Sequence, residues 1–445
     1  MKSMKMRVIS AGLIASMAMG LGAVGVAATT IPETAAETIV ISADEVIDLG
    51  NKTFTSTADV AFVIMDGATV TISNGTINAE SYGIIVCDGA TLTLNDVTLT
   101  ADSYGVYVRS HDLKETAFTG DWFTSGDWDN NVSNKASLTV NDSDITAGGY
   151  AITGNGYDKN PGSTEIVIKS GNISGNHGIY HPQGGTLTIE DGTITGANTG
   201  IEMRGGSLEV NGGVIESTYT GTPEVTANGS GSTTVGAAIA VSQHSTNVSI
   251  NVEITAGTLK GEASIFEQDV QNPSSGESTT ITVNGEYACL DGDVVSNTTS
   301  ETETVTINIV KAQINKDSNI TIARPENATI SNSGLKEVTE FTYPEKSTPN
   351  FFLFMFMKRL LTEYAVELVY DETMGIVEID DEDGFVRFST DVEITVAALE
   401  GYEVESVLVN GEAVELDEDG AYTIKRIRKD AKVEVTFAEI VEDAE

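Results

Sequence analysis

Polar and apolar residues alternate along most of this chain in short runs, and the runs return with a spacing of 22 residues. GATVTISNGTI begins at Gly67, GATLTLNDVTL at Gly89, GGTLTIEDGTITG at Gly184 and GGSLEVNGGVI at Gly205. Within one repeat, Thr91-Leu92-Thr93-Leu94, Val97-Thr98-Leu99 and Gly105-Val106-Tyr107-Val108 read as three half-buried strands. Asn74-Gly75, Asn95-Asp96 and Asp191-Gly192 mark joints, where the chain needs positive φ or side-chain turns. A unit this short cannot bury its apolar side alone, so the pattern predicts an all-β stack of coils with three strands each.

Aligning the third strand places Phe62, Ile84, Val106, Ile152, Ile179, Ile201 and Ile239 in one inward ladder. Departures from the 22-residue spacing are absorbed by polar insertions at Ser110 to Asn134, Asn155 to Gly162 and Thr218 to Thr233. Coils around Ile265 and Ala288 are less regular. With the first-strand ladder of Val70, Leu92, Leu138, Leu187 and Leu208, this coil period resembles the right-handed parallel β-helix of pectate-lyase-like proteins, over about Ile39 to Ile330. The resemblance implies the architecture and its handedness; lyases, hydrolases, adhesins and passive spacers all use this fold, so it implies no single activity.

The chain ends divide it further. Lys2, Lys5 and Arg7 precede an apolar run from Val8 to Val26 and the small pair Ala27-Ala28, the layout of a secretory signal peptide over residues 1–28. The solenoid is expected over 29–342 and a linker with an apolar capping run, Phe351 to Leu361, over 343–362. That run is too short to span a bilayer, so no stable transmembrane anchor is expected. Residues 363–445 are densely acidic and alternate with β-branched residues, and Asn410-Gly411 between alternating runs signals a hairpin. They resemble the small β-sandwich repeats of bacterial surface proteins.

Charge narrows the partners. Lys and Arg number 24 against 66 Asp and Glu, a net charge of −42, which disfavours nucleic acid and bare anionic polysaccharide. Cys87 and Cys289 should lie roughly 30 Å apart along the stack, too far for a disulfide.

Candidate chemistry follows from the third strand. If its ladder points inward, residues one and three places on point outward, aligning Tyr107, Tyr180 and Glu202 in one exposed column and Arg109 and Arg204 in the next. Aromatic faces suit sugar rings, and fixed polar groups orient them. The insertion after Arg109 carries both tryptophans, Trp122 and Trp128, and is expected to wall one side of a groove. Its acids Asp121, Asp127 and Asp129 offer oxygen ligands for Ca²⁺, the one cofactor considered. The pairs Thr69/Thr71, Thr91/Thr93 and Thr186/Thr188 form an outward array that Glu165 and Val167 interrupt, which argues against ice binding.

A glycosidase needs two flanking carboxylates, and the column offers Glu202 alone. The resemblance implies that a polygalacturonase-like hydrolase of this fold would carry a paired aspartate and a Gly-His-Gly; the solenoid has Asn176-His177-Gly178 and no Asp-Asp, so the match is weak. No catalytic residue is assigned. The expectation is a secreted or surface-displayed, monomeric, adhesin-like β-helix that binds a glycan or another surface ligand. The alternatives are a polysaccharide lyase or glycoside hydrolase, and a passive spacer.

Overall fold

The computed structural model describes residues 6–8, 31–113, 128–226, 231–243, 247–270, 277–299, 301–343, 363–371, 373–379, 385–387, 392–417, 420–424 and 431–440. The linker after Tyr343 and the apolar run Phe351 to Leu361 lie outside them, as do most of residues 1–28. The chain divides into two units, Met1–Thr342 and Tyr343–Glu445.

The first unit is a parallel β-helix. Its third-strand ladder runs in unbroken register through Ile39, Phe62, Ile84, Val106, Ile152, Ile179, Ile201, Ile239, Ile265, Val294 and Ile320. The first-strand ladder passes from Val70 through Leu92, Leu138, Ile166, Leu187 and Leu208 to Val252. A second-face ladder runs from Ile77 through Leu99, Ile145, Ile173, Ile194 and Ile215 to Leu259. The three ladders meet in one buried core. Each buried Ile or Leu contributes about 1.5–3 kcal/mol relative to exposure, so the stability of a coil comes from its neighbours.

First and second strands are joined more closely than the sequence pattern predicts. Thr69–Ala79 and Thr91–Ala101 are each one bent strand. The bends fall at Asn74 (φ 55°) and Asp96 (φ 54°), residues that tolerate the left-handed region through local side-chain bonding. Past the third insertion, Ile250–Gln268 and Ser278–Ser296 each wrap all three faces as one strand; their pairing keeps the inward ladders but shifts register at Ile254/Ala256, Lys260/Ala263 and Ala263/Ile265, so these coils are less regular, as the sequence predicts. Met6–Val8 pairs in parallel with Thr38–Ile41.

The corner before the third strand needs small residues. A Cβ on Gly105 would stand 2.5 Å from Ile145 Cγ2 and closer still to the Ala151 carbonyl oxygen. The equivalent residues in neighbouring coils are Gly83, Ala151, Gly178 and Gly200. Because these small residues face the core, the residue before each is turned toward the outside.

The second unit is a β-sandwich. One sheet orders Phe385–Arg387, Glu363–Val369, Ala431–Glu439, Tyr402–Val409 and Glu412–Ala413; the other orders Gly375–Ile379, Val392–Ala398 and Ala421–Ile424. Val366, Val407, Val433 and Phe437 of the first sheet share a core with Val377, Ile394 and Val396 of the second. Asn410 (φ 54°) and Gly411 (φ 82°) make the expected two-residue hairpin, with Val409 paired to Glu412. Among the described residues, no helix is long and apolar enough to cross a membrane.

Candidate functional site

The lateral alignment expected on the third face is present. Ile85, Tyr107 and Thr153 are in register, as are Tyr180, Glu202, Ala240 and Phe266. The expected exposure is not. Arg109 and Trp128 are 2 % exposed, and Glu202 and Arg204 are 0 % exposed. Tyr107 and Tyr180 are buried with them. The insertions fold back over these columns and seal them, so no open groove lies along this set of residues.

The first insertion returns as an antiparallel hairpin, His111–Leu113 against Trp128–Ser133. Trp128 lies beneath the Arg109 guanidinium, 4.2 Å from carbon to ring centroid, and 6.0 Å from the Tyr107 ring. Together with Leu113 it covers Val40, Val63, Ile85 and Cys87, an apolar outer patch that would otherwise face water. Trp128 is therefore a packing residue and does not form a groove wall; Trp122 lies outside the described residues.

The second insertion supplies the counter-charge. Asp158 is fully buried, accepts from the Ser110 amide at 2.6 Å, bonds His111 Nδ1, and stands 3.6 Å from Arg109 Nε. A buried guanidinium needs such a partner, and here the partner also ties the two insertions together.

The third insertion is pinned by the other half of the predicted site. Glu202 accepts from the Thr233 amide at 2.9 Å, the Thr233 hydroxyl at 2.8 Å, the Thr234 amide at 3.1 Å and the Ser232 hydroxyl. Arg204 Nε lies 3.7 Å from Glu202, and Nη1 donates to the Tyr180 hydroxyl at 2.6 Å and to the Gly231 carbonyl. Burial pushes the Tyr180 phenol well up. A carboxylate so enclosed is built to hold backbone donors in place.

A different set of aromatics remains at the surface. Tyr82, Tyr104, Tyr150 and His177 occupy one register position in four successive coils, all half-buried. Their ring centroids are 5.0, 5.4 and 5.0 Å apart in that order. Burial and the neighbouring phenols push Tyr104 up to about 12, and desolvation lowers His177 below the usual histidine range. Half-exposed Ser81 and Ser103 and exposed Glu80, Asp102 and Asn176 flank the column. The sequence does carry a signal for it, an aromatic residue immediately before the small corner residue in Tyr82-Gly83, Tyr104-Gly105, Tyr150-Ala151 and His177-Gly178. Strict alternation back from Ile84 turns these rings inward and hides the signal.

Of the three acids predicted to bind Ca²⁺, Asp121 and Asp127 lie outside the described residues, and Asp129 pairs in register with Asp112. Asp112 and Asp66 are both pushed up by burial, with Asp88 as the foremost neighbouring charge for each. Among the described residues, no three His, Cys, Asp or Glu side chains are placed to hold a metal ion. His181 faces the core, holds the Gly205 carbonyl through Nδ1 at 3.1 Å, and is lowered by burial to about 4. Both cysteines are free and buried. No family model matches the chain, and no curated protein or solved structure matches it.

Proposed function

We propose that this protein is a secreted or surface-displayed, adhesin-like β-helix that binds a carbohydrate along the column of Tyr82, Tyr104, Tyr150 and His177. The observation that carries the reading is the column itself: half-exposed rings near 5 Å apart, running from coil to coil between polar positions. Ring faces take the apolar faces of sugars, while Ser81, Ser103 and Asn176 offer hydrogen bonds to hydroxyls. A net charge of −42 favours a neutral glycan over an anionic one. The basic start, apolar run and Ala27-Ala28 of the leader support export, and the acidic sandwich suits a spacer or attachment module.

Against the lyase or hydrolase reading, Glu202, the one carboxylate of the column, and the basic Arg109 and Arg204 that could take a proton in a lyase are buried beneath the insertions and engaged with their loops. Titration against a panel of neutral and anionic oligosaccharides tests the proposal. Tyr104→Ala should weaken binding about 5- to 10-fold, the value of one stacked ring, with the melting temperature checked in parallel. Unchanged affinity in a Tyr82→Ala, Tyr104→Ala double variant would overturn it.

A further inference from the structure

The later coils carry a second polar cluster, unrelated to the aromatic column, near where the third strand passes into the next coil. Glu267, Asp269 and Glu303 are all buried there; among the described residues no lysine or arginine forms an ion pair with their carboxylates, and Arg324 Nη1 meets Glu303 at its main-chain carbonyl, at 3.4 Å. Glu267 has its own donors, the hydroxyls of Ser296 and Thr298. Glu303 is less well served. Gln243 Nε2 donates to Thr279 Oγ1 at 2.7 Å, and that hydroxyl donates to Glu303 Oε1 at 3.2 Å. Gln243 Oε1 and Glu303 Oε2 are left buried with no hydrogen-bond partner. Both atoms are pure acceptors once Glu303 is ionised, and they hang from the same threonine. Asp269 is close by, because the Gln243 amide bonds the carbonyl of Gln268, its chain neighbour, at 3.0 Å.

Buried acceptors without donors are rare because burial strips them of water and returns nothing. Among the described residues no three carboxylates are placed around one point here, but Glu303, Asp269 and the Gln243 carboxamide oxygen together make an oxygen-only, negatively charged set. Hard cations take such ligands, and calcium accepts irregular protein cages more readily than magnesium, which keeps several waters. We propose that Glu303, Gln243 and Asp269 bind a calcium-class divalent cation, with the nearby Glu267 adding negative charge. The ion would tie the coil of Gln243 to the two coils that follow it and stiffen the end of the solenoid farthest from the leader.

The test uses the full chain, stripped with chelator and titrated with CaCl₂ while thermal unfolding and calorimetric stoichiometry are followed. A saturable rise of roughly 5 °C is expected near 100-fold excess over the dissociation constant. Glu303→Gln should remove one bound calcium and most of the rise. Gln243→Met, which keeps the carboxylates, should weaken binding at least 10-fold. If the wild type shows no saturable rise, or Glu303→Gln keeps the full rise and stoichiometry, the proposal is wrong. It is equally wrong if Glu303→Gln raises the metal-free melting temperature and calcium has no effect on either protein, since a proton would then be all that Glu303 holds.

Discussion

Glu202 illustrates how a single side chain on this scaffold is committed to structure. It stands one place beyond the inward Ile201, yet two amides and two hydroxyls of the third insertion converge on its carboxylate. Glu202→Ala should cost about 3–5 kcal/mol in denaturant unfolding, because Arg204 keeps its charge in a buried place without its carboxylate. Adding Arg204→Met should restore part of that loss, a coupling that a double-mutant cycle measures. His181 makes the pH argument. Its folded value of about 4 lies below the unfolded 6.5, so the unfolded chain binds its proton first as pH falls. Its contribution is complete above the unfolded value and is lost as pH drops toward the folded one. Between about pH 7 and 4.5 the loss is on the order of 2–3 kcal/mol. His181→Leu should flatten that part of the stability profile relative to wild type; an unchanged slope would remove His181 as its source.

At the scale of elements, the inward ladders were legible in the sequence and the outer surface was not. Phe62, Ile84, Val106, Ile152, Ile179, Ile201 and Ile239 follow from coil period alone, because the core repeats whatever the loops do. Whether Tyr107 or Glu202 meets water depends on where a polar insertion comes back to rest, and no period encodes that. A partial clue lay in Val60-Ala61-Phe62-Val63-Ile64 and in Ile84-Ile85-Val86-Cys87, continuous apolar runs that belong to strands covered on both sides. Replacing residues 114–127 and the hairpin around them with a short turn should therefore expose Val63, Ile85 and Cys87. Thiol reagent should then label Cys87, which is buried in the intact protein, and a hydrophobic dye should bind. The aromatic column was missed for a local reason, since the glycine corner breaks alternation by one place. Gly105→Val should force Ile145 and the Ala151 carbonyl aside and cost at least about 2 kcal/mol.

For the molecule as a whole, the solenoid is a stack whose layers stabilise one another, fitted with loops that close most of one face and leave one aromatic strip half-exposed, with the Tyr150 hydroxyl accepting from the Ser232 amide of the third insertion at 2.9 Å. Removing a core side chain from the middle, as in Leu138→Ala, should cost about 2–5 kcal/mol, because the ladders above and below hold the cavity open. The division of the third face into sealed and half-exposed columns is what the proposed ligand site on Tyr82 and Tyr104, instead of on Trp128 and Arg109, rests on. Hydroxyl-radical footprinting read by mass spectrometry reports that division directly, residue by residue, in the unliganded protein. Tyr82, Tyr104 and Tyr150 should be oxidised readily, while Tyr107, Trp128 and Tyr180 stay protected until the chain unfolds. Labelling of Trp128 and Tyr107 at the rate of Tyr104 would contradict the account and return the ligand surface to the columns under the insertions.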